Sequence, residues 1–588
     1  MNEKRQKDWF EMPEVRRRKL ASSVWIPLRK SEVLDAGGTQ HHLGSWEEVD
    51  CVGSVAFPPE HRQLGEKLGW SDIGLSHAAA PFAHEGLPYK PADVYWYNDG
   101  EPVGIDLVLV QRLNSDHPAE WMVSQDLVMA LGLLREADRW VRVDEGYVEV
   151  MRQRRDKGGR VVAIEIKAEF LRDYLAARGL ALRIAQYRCR KAIVEDASGL
   201  GWGARPVEVV DERGRFSTRA FGVDAHGMAV LGDVAVMRVW RTDVDHDQDV
   251  PVMAKENDNN TDYERFTVKR PGPSAYQVEG ELWREEWIEP AAQSLRVRGD
   301  KPTEDPLYVV DASGETMPAS ALNNEDIGRW LWFRPELINA LLGYRGAELS
   351  WYSRDTGAIK CSPDFDTHFG INAGGFVNVY ANDVARLPLW QQRIWAGFNA
   401  SPNGPVSKEL MSSQMAAAPA GTAAPEHRLS EELQRLDALF EKQHAAPLFR
   451  AHSDRATLLK SIHRFRSLAS GGVLALAKDI ARAIADSLDI ALLRSIVKPK
   501  EDQKLGSLKL LQAALTLKVG EADARAIMGP LVGIYDLRLA DAHPASSSLA
   551  DAYALVGIDL NEPPIGQAVR MLEQAADALG KIHDILAK

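Results

Sequence analysis

A stretch of small residues divides this chain of 588 residues into two parts of different composition. Residues 416–425 are alanine, glycine, threonine and proline only, which is typical of a linker. All 16 tryptophans and all three cysteines precede this stretch, and Trp395 is the last tryptophan. A chain of this length needs more than one core. The two parts are therefore expected to fold around differently built cores.

Behind the small-residue stretch, apolar residues recur at the helical period. Leu433, Leu436, Leu439 and Phe440 begin a series that continues to the C-terminus. Breaks are expected at Gly471-Gly472, Lys498-Pro499 and Pro563-Pro564. The pattern predicts an all-α helical bundle over residues 429–588.

Residues 1–410 combine strand and helix patterns. Alternating apolar residues predict strands over 146–154, 160–167 and 182–194, and helical spacing predicts helices over 119–139 and 168–178. The fold class expected is therefore α+β: a mixed α/β N-terminal region of two or more domains, followed by the all-α bundle. The predicted domains are 1–200, a mixed α/β domain; 201–410, strand-rich and Trp-rich; 411–428, the linker; and 429–588, the helical domain.

The sequence offers no signal of export or of a disulfide framework. The N-terminus has no apolar signal core, and no apolar run reaches membrane-spanning length, so a cytoplasmic protein without a membrane partner is expected. Cys51, Cys189 and Cys361 are far apart and form no CxxC or Cys/His cluster. Neither a metal site nor a cofactor is predicted.

Charge is distributed unevenly along the chain. The net charge is -13, yet residues 429–588 hold 20 basic and 20 acidic residues, and residues 450–518 hold 13 basic against 6 acidic. A locally basic segment can hold a phosphate backbone. Lys498, Lys500 and Lys504 are the candidate RNA-binding residues within it.

Within the predicted bundle, Arg538 and His543 lie five residues apart. Gly529-Pro530 predicts a helix start there, and apolar residues at helical spacing follow it. His543 precedes Pro544, which disfavours further helix, so the helix is expected to end there with the histidine at its negative end. Five helical residues rise roughly 7.5 Å, so both side chains could reach one phosphate or its neighbours.

The spacing alone is not specific, because it recurs in this chain. The pairs that show similar gaps are Arg112 with His117, Arg219 with His226, and Arg241 with His246. These pairs lie in strand-like or polar segments. Only Arg538 lies in the predicted helical domain, and this context distinguishes it.

Arginine followed after four to six residues by histidine, in a helical domain, resembles the HEPN superfamily of helical ribonucleases and toxins. The resemblance covers about the last quarter of the chain and implies a metal-independent endoribonuclease. It implies that His543 moves protons, that Arg538 binds the scissile phosphate, and that Asp541 orients either of them. Leu539 stands where the family commonly has a polar residue.

The same resemblance implies a homodimer through the C-terminal helical domain, because paired HEPN domains share one composite site. It further implies RNA as the substrate and a role as a toxin or an antiphage, abortive-infection effector. The N-terminal region would then sense a trigger or restrain the helical domain.

Two alternatives remain open. A non-catalytic HEPN-like domain could mediate dimerisation or RNA binding. A Mg²⁺-dependent nuclease could instead be centred on Glu165 and Lys167, with Asp144 and Glu149 nearby in sequence, since such enzymes use carboxylates for the metal and a lysine for the attacking water.

Overall fold

The computed structural model describes residues 3–38, 42–74, 91–97, 101–111, 120–212, 214–224, 226–230, 233–241, 261–269, 272–323, 329–362, 365–450, 455–469, 471–500, 503–540 and 548–588. The chain divides into two compact units. The first unit comprises Met1–Val143 and Val148–Pro302, and the second comprises Asp144–Tyr147 and Thr303–Lys588.

The first unit is mostly strand. Its helices are α1 (Glu3–Glu11), α2 (Pro13–Arg17), α3 (Arg62–Lys67), α4 (Gln125–Ala130) and α5 (Ala168–Arg178). Its strands are β1 (Trp25–Ala36), β2 (Trp46–Phe57), β3 (Val94–Trp96), β4 (Pro102–Ile105), β5 (Val108–Gln111), β6 (Glu120–Val123), β7 (Leu133–Glu136), β8 (Arg139–Arg142), β9 (Val148–Arg155), β10 (Val161–Lys167), β11 (Ala181–Val194), β12 (Val207–Asp211), β13 (Gly214–Val223), β14 (Val234–Arg241), β15 (Thr261–Val268) and β16 (Ala275–Ile288).

The second unit begins with short strands and ends with helices. Its strands are β17 (Leu307–Val309), β18 (Thr316–Pro318), β19 (Trp330–Phe333), β20 (Glu348–Trp351), β21 (Thr356–Ser362), β22 (Phe365–Ile371), β23 (Val377–Tyr380) and β24 (Asn399–Ala400). Its helices are α6 (Glu336–Leu342), α7 (Ala381–Ala385), α8 (Leu389–Phe398), α9 (Lys408–Ala416), α10 (Pro425–His444), α11 (Arg455–Ser461), α12 (Gly472–Ala483), α13 (Ile490–Val497), α14 (Ser507–Val519), α15 (Glu521–Ala540), α16 (Ser548–Val556) and α17 (Pro564–Leu586).

A twelve-stranded antiparallel sheet organises the first unit. Ten of its strands follow the order β12-β13-β16-β11-β2-β1-β10-β9-β8-β7, and β3 and β4 pair beside β2. The long strand β11 is central because it pairs with β2 on one side and with β16 on the other. Apolar residues of the sheet such as Ile166 and Ile184 are fully buried in the same cluster as Phe170 of α5, so this helix contributes to the core.

Charged side chains fasten the N-terminal residues to this sheet. The buried Arg284 on β16 donates to the backbone carbonyls of Val15, Arg16 and Arg18. Glu286, two residues along β16, accepts hydrogen bonds from the amides of Leu20 and Ala21. Residues 15–21 are therefore bound to the sheet through their backbone.

The second unit joins a six-stranded antiparallel sheet to a helical bundle. The strand order is β20-β21-β22-β23-β19-β24, so β20 is an edge strand. Helix α17 lies at the centre of the bundle, where it packs against α10, α15, α12 and α14. Eleven residues of α17 are buried, which explains its apolar repeat.

A buried ion pair connects the sheet of the second unit to its helices. Arg464 is fully buried between α11 and α12, and it donates from Nε and Nη2 to the two carboxylate oxygens of Glu426 at 2.9 Å. Its guanidinium lies 4.1 Å from the ring centroid of Trp351 on β20 and donates to the carbonyl of Arg354. Burial alone would raise the pKa of Glu426, but the charge of Arg464 and its hydrogen bonds outweigh burial and lower that pKa.

The α+β class is confirmed: a strand-rich region precedes an all-helical one. Helix α5 spans the predicted 168–178, and the breaks predicted at 471–472, 498–499 and 563–564 separate helices. The helix predicted over 119–139 is wrong, because the described residues there form β6, α4, β7 and β8. Short strands joined by tight turns can place apolar residues at helix-like intervals.

The division into two units differs from the predicted domain boundaries. It falls at residue 302 instead of residues 200 and 410, because β11 and β16 pair along their whole length across residue 200. The segment predicted as a linker, 411–428, contains the end of α9 and the buried start of α10.

None of the helices in the described part of the chain combines the length and the apolar character that a membrane crossing requires.

The buried ion pair leads to a stability prediction. We expect Arg464→Met to lower the free energy of unfolding by about 3–5 kcal/mol, because it leaves the carboxylate of Glu426 buried without its cation. Arg466→Met is the matched control: Arg466 is itself 39% exposed, and Arg482 remains 3.9 Å from the carboxylate of its partner Asp479, so the loss should be about 1 kcal/mol. Urea unfolding followed by circular dichroism measures both. Equal losses of unfolding free energy in the two variants would contradict the structural role assigned to the buried Arg464–Glu426 pair.

Asp106 in the first unit makes stability depend on pH. The pKa of its carboxyl is raised to about 7, mainly by burial; the charge of Arg29 opposes this shift and that of Asp93 adds to it. Between about pH 4 and pH 7 the folded chain therefore keeps a proton on Asp106 that the unfolded chain has released. Because of this difference, the free energy of unfolding falls as pH rises through that range, by up to about 1.4 kcal/mol per pH unit. Urea unfolding at pH 5 and pH 8 should show a smaller difference for Asp106→Asn than for the wild type.

Candidate functional site

Helix α15 carries the arginine of the predicted site. Leu531, Ile534 and Leu537 are buried and hold one face of the helix against the bundle. The prediction that the helix starts at Pro530 is wrong, because α15 starts at Glu521 and contains Pro530. Proline removes one helical hydrogen bond, and the packing of α15 against α12, α14, α16 and α17 compensates for it.

Gly533 allows α16 to approach α15 closely. A Cβ atom at this position would lie 2.8 Å from side-chain atoms of Leu555 and Val556 and 2.9 Å from the carbonyl oxygen of Ala552. A larger residue would therefore push the two helices apart. The close approach keeps the last turns of α15 next to α16.

Arg538 lies in the last turn of α15, outside the buried face. Its Nη1 is 2.5 Å from Oδ1 of Asp486, and the two side chains are 28% and 40% exposed. Its guanidinium also lies 5.5 Å from the ring centroid of Tyr535, one turn earlier. The arginine is thus held by a carboxylate at a position that solvent can reach.

Asp486 is the contact that sequence reasoning missed. It lies in the turn after α12, 52 residues before Arg538 in the chain. Its own amide donates to the carbonyl of Ala481, and its carbonyl accepts from Arg450. Nothing in the local sequence pattern marks this aspartate as the partner of Arg538.

Asp541 and His543, the other two predicted catalytic residues, lie outside the described residues. The last described helical residue before them is Ala540. Asp536, two residues before the arginine, has a carboxyl whose pKa is raised by burial. The end of α15 therefore carries an arginine and a carboxyl with an increased tendency to hold a proton.

The three candidate RNA-binding lysines lie in one connection. Lys498, Lys500 and Lys504 are all exposed between α13 and α14, and Lys498 ends α13 in the left-handed conformation with φ 49°. Among the described residues, no carboxylate forms an ion pair with any of them.

At the alternative magnesium site, Glu165 and Lys167 are surrounded by cationic and aromatic side chains. Glu165 faces Arg152 across β9, accepts a hydrogen bond from it at 2.8 Å, and lies 3.6 Å from Arg154. Lys167 lies 5.7 Å from the ring centroid of Trp25. The carboxylate of Glu165, which a magnesium ion would need as a ligand, is thus paired with two guanidinium groups. Within the described ranges, no three His, Cys, Asp or Glu side chains lie close enough together to form a metal site.

No family model, no curated protein and no solved structure matches this chain. The functional argument therefore depends on the residues themselves.

The exposure of the Arg538–Asp486 pair predicts a weak interaction. A double-mutant cycle with Arg538→Ala and Asp486→Ala should give a coupling free energy of about 0.2–1 kcal/mol, because solvent screens the pair. Urea unfolding of the four proteins measures it. A coupling above about 3 kcal/mol would indicate a structural ion pair that cannot release the guanidinium to a ligand.

Proposed function

We propose that this chain is a metal-independent endoribonuclease of HEPN type that acts in the cytoplasm. One observation carries the proposal: Arg538 lies in the last turn of a helix, partly exposed, with a carboxylate already bound to its guanidinium. A position that binds a carboxylate can bind a phosphate oxygen by the same charge-assisted hydrogen bonds. Asp541 and His543 follow three and five residues later.

The proposed reaction needs a proton acceptor, a proton donor and a phosphate clamp. His543 removes the proton from a ribose 2′-hydroxyl, and the resulting oxygen attacks the adjacent phosphorus. The bond to the 5′-oxygen breaks, and that oxygen is protonated by His543 or by its counterpart in a second protomer, leaving a cyclic phosphate and a free 5′-hydroxyl. Arg538 stabilises the charge that develops on the phosphate, and Asp541 orients either side chain.

Asp486 would compete with the substrate for Arg538. The carboxylate and a phosphate cannot both hold the same edge of the guanidinium, so RNA must displace Asp486 from it. Because the pair is partly exposed, this exchange costs little. The proposal therefore includes a resting state in which Asp486 holds the arginine.

The proposed active form is a homodimer through the helical region. Leu539, directly after Arg538, is an exposed large apolar residue, as is Leu555 on the neighbouring helix α16. Exposed apolar side chains near a site support contact with another chain. RNA would reach the site along Lys498, Lys500 and Lys504.

The proposal assigns sensing or restraint to the N-terminal region and an antiphage, abortive-infection or toxin role to the whole protein. A polar cavity of about 410 Å³ in the first unit supports the sensing role. Lys30, Arg188 and Gln186 contribute to its wall, and Oε1 of the buried Gln186 has no hydrogen-bond partner among the residues that the structure describes. A small polar molecule could satisfy this oxygen.

The decisive experiment incubates purified protein with labelled RNA in EDTA. We expect cleavage to products that end in a cyclic phosphate, and we expect His543→Ala and Arg538→Ala each to reduce the rate by roughly 10²–10⁴-fold. His444→Ala, at the exposed end of α10, is the matched histidine control and should leave the rate unchanged. Circular dichroism confirms that each variant is folded.

Other results of these assays would reject the proposed ribonuclease or support one of the two alternatives. Failure of the wild type to cleave any RNA, with or without a divalent ion, would reject the enzyme. In that case, tighter RNA binding by Asp486→Asn than by wild type would support the non-catalytic RNA-binding alternative, because the substitution frees the guanidinium. Cleavage that needs Mg²⁺ and is lost in Glu165→Gln would support the metal-dependent alternative.

A further inference from the structure

The edge strand β20 has backbone groups that face away from its sheet. Among the described strands it pairs only with β21, and the amide of Tyr352 bonds to the carbonyl of Thr356 just beyond the paired residues. In an antiparallel pair, the backbone amides and carbonyls of successive residues point alternately toward and away from the partner strand. Those of Glu348 and Ser350 therefore point toward β21, like the amide of Tyr352, and those of Leu349 and Trp351 point outward. Within the part of the chain that the structure describes, these outward groups have no hydrogen-bond partner.

A groove of about 380 Å³ runs along this outer edge. One wall is β20 itself, and the other is formed by the first turns of α10 and by α11 with the turn that follows it. Leu429 and Ile462 are buried in the helical wall, and Leu349 lines the strand wall. A free strand edge opposite a helix, with apolar residues between them, is the arrangement by which many domains bind an extended peptide.

His463 contributes a polar group to the groove. The residue is 8% exposed, and in the described part of the chain Nδ1 finds no hydrogen-bond partner. Burial lowers the pKa of the imidazole to about 4, so the ring is neutral at physiological pH and can exchange hydrogen bonds with an uncharged ligand group. A hydroxyl or an amide of a bound segment would satisfy it.

The groove is bridged by a weak, exposed ion pair. Nζ of Lys460 on α11 lies 3.9 Å from Oε1 of Glu348 on β20, and the side chains are 79% and 62% exposed. Such a pair contributes little to stability, so a ligand can separate it. Each side chain could then pair with a residue of opposite charge on the ligand.

We propose that this groove binds an extended segment of a partner protein, which adds a seventh strand beside β20. The segment would bond to Leu349 and Trp351, place apolar side chains against the helical wall, and carry an acidic residue for Lys460 and a basic one for Glu348. The four residues of β20 span about 13 Å, which matches a peptide of four or five residues.

A second copy of this chain does not fit the same place. Pairing of two β20 edges would bring two sheets together, but residues of α10 and α11 line the space beside the strand that a second sheet would have to enter. A single flexible segment needs less space than the edge of a folded sheet. The inference does not depend on the proposed ribonuclease activity.

The test begins with a phage-displayed library of random ten-residue peptides. Selection on the full-length wild-type protein, with Ser430→Trp used for counter-selection, isolates peptides that need the groove, because Ser430 lines it. We expect synthetic forms of these peptides to bind Ser430→Trp at least about tenfold more weakly than wild type. Glu431→Trp, at the neighbouring exposed position, is the matched control and should stay within about twofold.

Backbone recognition is tested by N-methylation of each amide of a selected peptide in turn. A bound strand presents alternate amides to β20, so affinity should fall at least about tenfold at every second position and change little between them. Lys460→Glu should change the selected residue at one position from acidic to basic. His427→Trp provides a second way to block the groove if Ser430→Trp does not fold.

Three results would overturn the proposal. The first is a library in which no peptide is enriched on the wild type over the Ser430→Trp protein. The second is equal affinity of selected peptides for wild type and the blocked variants. The third is N-methylation that has the same effect at all positions, since a ligand held only by its side chains would not show alternation.

Discussion

The ion pair between Arg464 and Glu426 connects the sheet of the second unit to the start of α10 and to the turn after α11. Its guanidinium holds the first turn of α10, contacts Trp351 on the edge strand, and bonds to the carbonyl of Arg354 beyond that strand. A buried charge without its partner is costly, so these elements are held together as a group. The sheet of residues 330–400 and the bundle of residues 425–586 thus belong to one compact unit.

The same ion pair creates the proposed peptide groove. Because it holds the start of α10 and the turn after α11 beside β20, the outer edge of that strand faces helices across the groove. Stability of the unit and recognition of a partner therefore depend on the same buried charges.

For the proposed catalytic arginine, the local sequence pattern predicted the helix but not the side chain that binds it. Helical spacing placed Arg538 on a helix, and the structure has it in the last turn of α15. The helix starts nine residues earlier than Pro530 suggested, because packing against four neighbouring helices compensates for a proline within it. Asp486 was not predictable, because a partner 52 residues away is chosen by how α12 and α15 pack.

The sequence by itself determined the order of strand-rich and helical regions, the bounds of α5 and most helix breaks, because periodicity and helix-breaking residues act over a few neighbours. It misread residues 119–139, where short strands and turns imitate helical spacing. Only the tertiary structure decided that the alanine-rich stretch leads into a buried helix start, and that one sheet spans residue 200. Those outcomes depend on contacts between residues far apart in the chain, as between Glu426 and Arg464, which no local pattern contains.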